Sequence, residues 1–445
     1  MTELPPHDSV YFDEEWETMS RERIEEEQLA LLLDVIPYAY EHSPLVRETW
    51  DAARVHPRDV RTLDDFRERV PFIDKDAVRR FRDERGDPHG GLLCVDPAEL
   101  TAIMSTSGTT GDPTLVAERW GGGGGSRPTI VTRDFWGMGL RPGDHVALVL
   151  FTFRGPMYGL IQGLGAVPVL VDYDPTQIGR LLELSIKYRP TIMYNFGGTL
   201  MGATPAAAER AGIDPKDAFS SYLSVVWAGE PLGPRARALA AEWELPLFEH
   251  TSVGDVTASF ECSAHDGLHF WEDTALVEGI EPDATDHTDA VAAGDGARCE
   301  LVATALTNRV APLIRYRSDD VVRLTRERCA CGRTHARMWT VGRKSDEVVV
   351  DGRPVMPIDV WGAVEAVDAC ALGLFQVVRP AREVDCLRLR VGYAGAHAKR
   401  ADAVRDEVAG SVFDAIGIVP EIELVPDEQL LRLGPPHKIP RVTSR

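Results

Sequence analysis

The sequence predicts an α/β protein, with a large multi-layer N-terminal domain and a small α+β C-terminal domain. Three observations carry that expectation. Helical periodicity dominates the first hundred residues, short Val/Ile/Leu-rich runs alternate with helix-length stretches from there to about residue 250, and a strand-turn-strand signal opens the last hundred. At 445 residues, with 44% hydrophobic and 27% charged composition, the chain has material for two or three folded units and is not a disordered polymer.

In order along the chain, Glu14 to Tyr40 carries Leu29, Leu32, Leu33, Ile36 and Tyr40 at helical spacing, and Ser43-Pro44 stops it. A second helix starts near Thr62, with Leu63, Phe66 and Val70 as its apolar stripe, and Pro71 ends it. The runs His145 to Phe151, Val167 to Val171, Thr191 to Tyr194, Leu223 to Trp227 and Pro246 to Phe248 then read as buried parallel strands joined by βαβ crossovers. Glu281 to Ala297 has no apolar face and reads as a surface loop or hairpin edge. A boundary falls near Gly342-Arg343, dividing a domain at 1–342, with its helical lead-in at 1–100, from one at 343–445. Past it, Asp351-Gly352 marks a hairpin, Ile358 to Val367 a helix and Leu387 to Val391 a strand. Five glycines at 121–125, followed by Ser126, hold no regular structure and read as a flexible loop or an engineered linker.

Forty-eight Lys and Arg against seventy Asp and Glu leave a formal charge of −22, which argues against a nucleic-acid partner. No apolar run reaches the roughly 20 residues a bilayer crossing needs, and the acidic N-terminus is unlike a signal peptide, so the expectation is a cytoplasmic protein with no membrane partner. Seven cysteines are too few for a disulfide framework, and Cys329 and Cys331, which cluster, are to be weighed as metal ligands or redox thiols.

The strongest local signal is Ser105-Thr106-Ser107-Gly108-Thr109-Thr110-Gly111, followed by Asp112-Pro113-Thr114. Small hydroxyl residues interleaved with glycine let the backbone approach an anion while amide and hydroxyl donors face phosphate oxygens. The spacing is not that of a Walker loop.

TSGTTGDPT resembles the phosphate loop of adenylate-forming enzymes, the superfamily of acyl- and aryl-coenzyme A ligases, luciferases and peptide-synthetase adenylation domains. Further similarities follow in the superfamily's order. Ala228-Gly229-Glu230-Pro231 resembles the segment that flanks adenine, and Tyr316-Arg317-Ser318-Asp319-Asp320 resembles YRTGD, whose last Asp, here Asp320, binds ribose hydroxyls. Gly342-Arg343 with Asp346 resembles the GRxxD hinge, and Lys438 with Arg441-Val442 resembles the GKxxRV segment of the catalytic lysine. Within the superfamily, VIPYAYEHSPLVRE, TLDDFRERVPFIDKDAVR, Glu261-Cys262 with Asp266 to His269, and Cys329 to Thr334 are similar to the phenylacetate:coenzyme A ligase family across nearly the whole chain.

That resemblance implies an adenylate-forming N-terminal domain and a mobile C-terminal domain. The reaction it implies uses ATP and magnesium to convert a carboxylic acid, whose own leaving group would be oxide, into an acyl adenylate that the thiol of coenzyme A attacks. The acid is a small molecule, expected to be aromatic. Lys438, Thr251 and Arg343 take catalytic roles. Nucleotide contacts fall to Ser105, Thr106, Ser107, Gly108, Thr109, Thr110, Gly111, Ala228, Gly229, Glu230, Pro231, His250, Thr251, Asp320 and Arg343. Rotation of the small domain about Asp346 would separate the two steps in time. A homodimer is compatible with this reading. Other acceptors, namely an amine, a carrier-protein thiol or a cofactor hydroxyl, define the alternative function, as does a catalytically weakened nucleotide-binding homologue.

One departure bears on magnesium. The family's YGxTE aligns with Phe248-Glu249-His250-Thr251-Ser252, which places Ser252 where the metal-ligating glutamate stands, so that Glu249 or Asp255 substitutes or adenylation is impaired. His437 precedes Lys438 in place of glycine, and Asp112 stands where the family often has Lys. Cys329-x-Cys331 directs two thiolates at one ion, and the resemblance adds Cys262 and His269 as the remaining ligands of a structural zinc. Phe151, Phe153, Tyr158 and Tyr194 are candidates for an aromatic wall of the acid pocket, with Trp227 beside the adenine segment. Cys94, Cys299, Cys370 and Cys386 are expected to be small core residues.

Overall fold

A computed structural model describes residues 4–105, 115–119, 130–150, 156–282, 284–433 and 439–444. The phosphate loop beyond Ser105, the glycine run 121–125, Phe151, Phe153 and Lys438 lie outside these described residues. The chain divides into two units, one including Met1–Gly108, Pro113–Gly137 and Thr251–Lys344, the other including Met138–His250 and Ser345–Arg445.

In the first unit, the segment expected to be one helix from Glu14 is two, Glu14–Glu17 and Arg21–His42. The break comes where the Ser20 side chain accepts from the Arg23 amide and starts the second helix, a cap that competes with propagation. Ser43 ends that helix and caps the next, Pro44–Ala52, with Pro44 in the first turn where its missing N–H costs nothing. Thr62 and Asp65 form a capping box for Leu63–Arg69, and the chain leaves the helix before Pro71. These helices bury Leu32, Val35, Ile36, Trp50 and Phe66 against Leu276, Ile314 and Tyr316. The unit's antiparallel strands run in the order Ala275–Ile280, Arg298–Ala305, Tyr316–Thr325, Arg337–Arg343, Leu268–Phe270, Thr257–Glu261. The polar stretch after Glu281 connects the first two of these strands, as the sequence suggested. A separate hairpin pairs Ala102–Ser105 with Leu115–Glu118, so the two ends of the expected phosphate loop are held in register, Ser105 opposite Leu115.

The second unit contains the parallel strands His145–Leu150, Val167–Asp172, Ile192–Tyr194 and Ser224–Ala228 and the start of Leu247–Val253. Ile178–Tyr188, Gly198–Ala211 and Pro234–Glu242 are among the helices that link them. Leu181, Leu182, Met193, Phe196, Val225 and Trp243 belong to its core. From Ser345, the hairpin Val348–Val350/Arg353–Val355 turns at Asp351-Gly352, and Pro357–Glu365 is the expected helix. Four further strands, Phe375–Val378, Arg388–Tyr393, Glu421–Pro426 and Val442–Thr443, form one sheet. This stretch has its own apolar cluster, including Val348, Val360, Phe375, Leu389 and Val408. No helix among the described residues is long and apolar enough to cross a membrane.

Candidate active site and metal centre

In the first unit the structure brings Cys262, His269, Cys329 and Cys331 together, with all four ligand atoms within 4.8 Å of one another. Cys262 directly follows the strand Thr257–Glu261, and His269 lies on the paired strand Leu268–Phe270 opposite Phe260, so one hairpin carries both. Cys329 and Cys331 come from the knuckle before Arg337–Arg343. Gly332 has φ +92°, and a Cβ there would stand 2.2 Å from the Tyr11 hydroxyl, so the knuckle requires glycine. The dimensions fit a tetrahedral zinc, whose bonds set S···S near about 3.8 Å and S···N near about 3.6 Å. Here Cys262 Sγ and Cys329 Sγ are 3.7 Å apart, and Cys331 Sγ is 3.5 Å from His269 Nε2. His269 Nδ1 lies 3.0 Å from the His335 carbonyl, a bond that places its proton on Nδ1 and leaves Nε2 as the donor atom. Hydrogen bonding with Cys262 holds the Cys331 thiol below its ordinary range.

The same unit carries Asp320 and Arg343. They are direct cross-strand partners, which explains their 3.6 Å ion pair. Asp319, immediately before, has φ +73°, and the strand pair is irregular just after, between Val321 and Val322. Such left-handed non-glycine residues collect at functional sites. Desolvation pushes the Asp320 carboxyl above its ordinary range; Arg343 opposes the shift and Asp255 adds to it. Asp255, also left-handed at φ +57°, pairs with Lys75 at 3.6 Å. Glu249 is held instead by Arg237 at 2.8 Å, and Ser252 is exposed. Of the two carboxylates considered for the magnesium side, Asp255 is therefore the one within electrostatic reach of Asp320. Thr251 is half-buried, and its carbonyl accepts from Ser259 Oγ at 3.2 Å.

In the second unit Ala228 ends a fully buried strand, and Gly229 turns the chain at φ +102°. Trp227 Nε1 donates to the Glu230 carbonyl at 2.7 Å, which fixes the adenine-type segment from Ala228 to Pro231. The His250 ring meets Tyr194 edge-on at 6.2 Å. Ligands of parallel sheets collect at the carboxyl ends of the strands, where this segment lies. Of the proposed aromatic wall, Tyr194 is buried, while Tyr158 is 40% exposed and bonds Gln162 on its own helix, which removes it from an enclosed wall. Cys299 and Cys370 are buried as expected; Cys94 and Cys386 are half-buried.

Sequence reasoning did not single out Asn195 or the side-chain contacts of Arg441. Asn195 follows a parallel strand at φ +73°, fully buried; its Nδ2 donates to the Val149 carbonyl and its Oδ1 has no partner. Its only advance signal is an Asn-Phe-Gly-Gly step after an apolar run.

No family model matches the chain. It is 27% identical over 462 residues to the phenylacetate-coenzyme A ligase of Thermus thermophilus, covering 95% of this chain and 97% of that one. A second phenylacetate-coenzyme A ligase, from Aromatoleum evansii, is 27% identical over 429 residues, with 92% and 91% covered. Among solved structures, 2-hydroxyisobutyryl-CoA ligase in its postadenylation state, in complex with 2-HIB-AMP, superposes with a TM-score of 0.82 at 25% identity, covering 100% of this chain and 94% of that one. The same ligase with 2-HIB-AMP and CoA in the thioesterification state gives 0.68 at 25% identity, with 99% and 94% covered. Over nearly its full length, then, this chain is similar to phenylacetate-coenzyme A ligases, and it shares its fold with the adenylate-forming 2-hydroxyisobutyryl-CoA ligase.

Proposed function

We propose that the protein activates a carboxylic acid, expected to be aromatic, as its acyl adenylate and transfers the acyl group to coenzyme A. In the first step a carboxylate oxygen attacks the α-phosphorus of ATP and pyrophosphate leaves. In the second, the sulfur of coenzyme A attacks the acyl carbon and AMP leaves. The observation that carries this reading is the Asp320–Arg343 pair, set across two strands inside a motif that resembles the ribose-binding segment of the superfamily.

Asp320 accepts hydrogen bonds from the ribose hydroxyls, with Arg343 beside it to offset phosphate charge. The segment from Ala228 to Pro231 lines the base, with His250 and Thr251 next along the fold. The hydroxyl-rich loop from Ser105 to Gly111 holds the phosphates, and Lys438 neutralises charge developing on the α-phosphate. Magnesium, when bound, screens the phosphate oxygens; Asp255 supplies the carboxylate that Ser252 lacks. The 343–445 domain turns about Asp346 between the two steps. The Cys3His cluster holds a structural zinc, since four protein donors leave no open coordination position.

The test is ATP-pyrophosphate exchange with a panel of aromatic acids, phenylacetate first, followed by AMP release with and without coenzyme A. Exchange together with CoA-dependent AMP release is expected. Bound ATP without exchange for any acid, or AMP release only with an added amine, would overturn the reading in favour of a weakened homologue or of a different acceptor.

A further inference from the structure

Arg441 stands three residues after Lys438, and its side chain is held from several directions. Its Nη2 lies 2.9 and 3.0 Å from the two carboxylate oxygens of Glu230, and its Nε is 3.2 Å from one of them. Nη1 donates to the Gly373 carbonyl at 2.5 Å. The guanidinium carbon sits 3.7 Å from the centre of the Trp361 ring and 4.9 Å from that of Phe375. Both charged side chains are only 10% exposed.

The surroundings are built for this pair. Trp361 is itself pinned, its Nε1 donating to Glu365 at 2.6 Å, while the other Glu365 oxygen accepts from the Arg235 amide at 3.0 Å. Glycines at 233 and 373 leave room for that carboxylate, which a Cβ at either place would meet at 2.5 or 2.7 Å. The backbone of Arg441 is fixed as well, since the Val377 amide donates to its carbonyl at 2.7 Å. One side of the junction is thus the adenine-type segment, and the other is the chain that carries Lys438. A planar, bidentate guanidinium-carboxylate pair shielded from water is strong while closed, and both ions must be rehydrated when it opens.

We propose that the Glu230–Arg441 pair is a latch that holds the lysine-bearing segment in place for adenylation and opens for the thiol step, which makes Arg441 a positioning residue for the first half-reaction alone. The inference rests on the function proposed above, because it needs two steps in two geometries. A closed latch joins the lysine's segment to the nucleotide's segment, the arrangement the first step uses. Opening it releases the small domain for the second.

The experiment measures the half-reactions separately on the full-length protein and on Arg441→Ala, Arg441→Lys, and Glu230→Gln/Arg441→Gln with both its single variants. The first is pyrophosphate exchange with phenylacetate, and the second is single-turnover thioester formation from supplied phenylacetyl adenylate and coenzyme A. Exchange kcat should fall about tenfold or more in each Arg441 variant, while conversion of supplied adenylate stays within about twofold. The double variant should be no slower than its slower single, since each removes the same bond. Arg441→Lys keeps the charge over Trp361 and carries the test if Arg441→Ala fails to fold. Equal loss in both half-reactions means a merely structural pair, and no loss in either means no latch; both overturn the proposal. Wild-type protein inactive with every acid overturns the parent function, and the latch with it.

Discussion

Replacing Cys331 by serine should cost the protein both its metal and the attachment of its N-terminal arm. The knuckle that carries Cys329 and Cys331 is the arm's dock. Tyr11 donates to the Cys331 carbonyl at 2.9 Å, Arg333 donates to Glu17 at 2.9 Å and to the Val10 carbonyl at 3.2 Å, and the Thr334 hydroxyl donates to the Met19 carbonyl at 2.6 Å. The Thr334 amide reaches the Glu17 carbonyl at 3.3 Å, and His335 Nε2 lies 2.7 Å from the Trp16 carbonyl. Six hydrogen bonds at about 1 kcal/mol net each amount to roughly 6 kcal/mol, a protection of about four powers of ten against opening. Serine offers a poor zinc ligand on a shorter bond, so under the proposed zinc reading the knuckle would lose its cross-link and the six bonds their register.

Two assays read this out. Metal analysis should find about one zinc per chain in the wild type and markedly less in Cys331→Ser. Limited trypsinolysis should then cut faster at Arg21, the first Lys or Arg in the sequence, because the arm opens far more often. Equal zinc in the two proteins would refute the metal centre. Loss of zinc with unchanged cleavage at Arg21 would refute the coupling to the arm.

The remaining predictions concern the nucleotide side and the small domain. Asp320→Asn, which cannot accept two ribose hydrogen bonds as a carboxylate does, should raise the KM for ATP about tenfold in pyrophosphate exchange with little change in Tm; an unchanged KM removes Asp320 from the site. Asp255→Asn should raise the magnesium concentration needed for half-maximal exchange severalfold whereas Glu249→Gln should not, and the opposite ranking would reassign the metal-side carboxylate. Burial pushes Asp427 up to about 7, and its Oδ1 has no hydrogen-bond partner. Its native pKa lies above the unfolded one, so the stability it contributes is complete below about pH 4, is lost as pH rises to about 7 and is flat beyond, for roughly 4 kcal/mol at most. Asp427→Asn stays neutral, and denaturant melts should show it gaining on the wild type as pH rises from about 4 to about 7, with no further gain above that; a pH-independent difference would refute the argument.

The parts of this molecule legible in the sequence are those written in local pattern. Apolar runs separated by helix-length spacers placed the five parallel strands to within a few residues, although Leu247–Val253 extends well past the run ending at Phe248 because its later residues are polar. The break before Arg21 was hidden for a related reason. Helical periodicity continues through it, and only the hydroxyl of Ser20, bonding forward to Arg23, starts a new helix. The Cys-x-Cys knuckle advertised itself, but its partners at Cys262 and His269 rested on a family resemblance. Interactions between distant residues left no such trace. Arg133 binds Asp273 across 140 positions, and Glu230 binds Arg441 across 211. The second case shows why motif reading stops where it does. Both residues sit in segments whose resemblance was noticed, one for its backbone around adenine and the other for a neighbouring lysine. A motif records what a segment does with the ligand, while the pairing of two motifs with each other is a property of the fold, where a protein that performs two reactions in two shapes can set the balance between them.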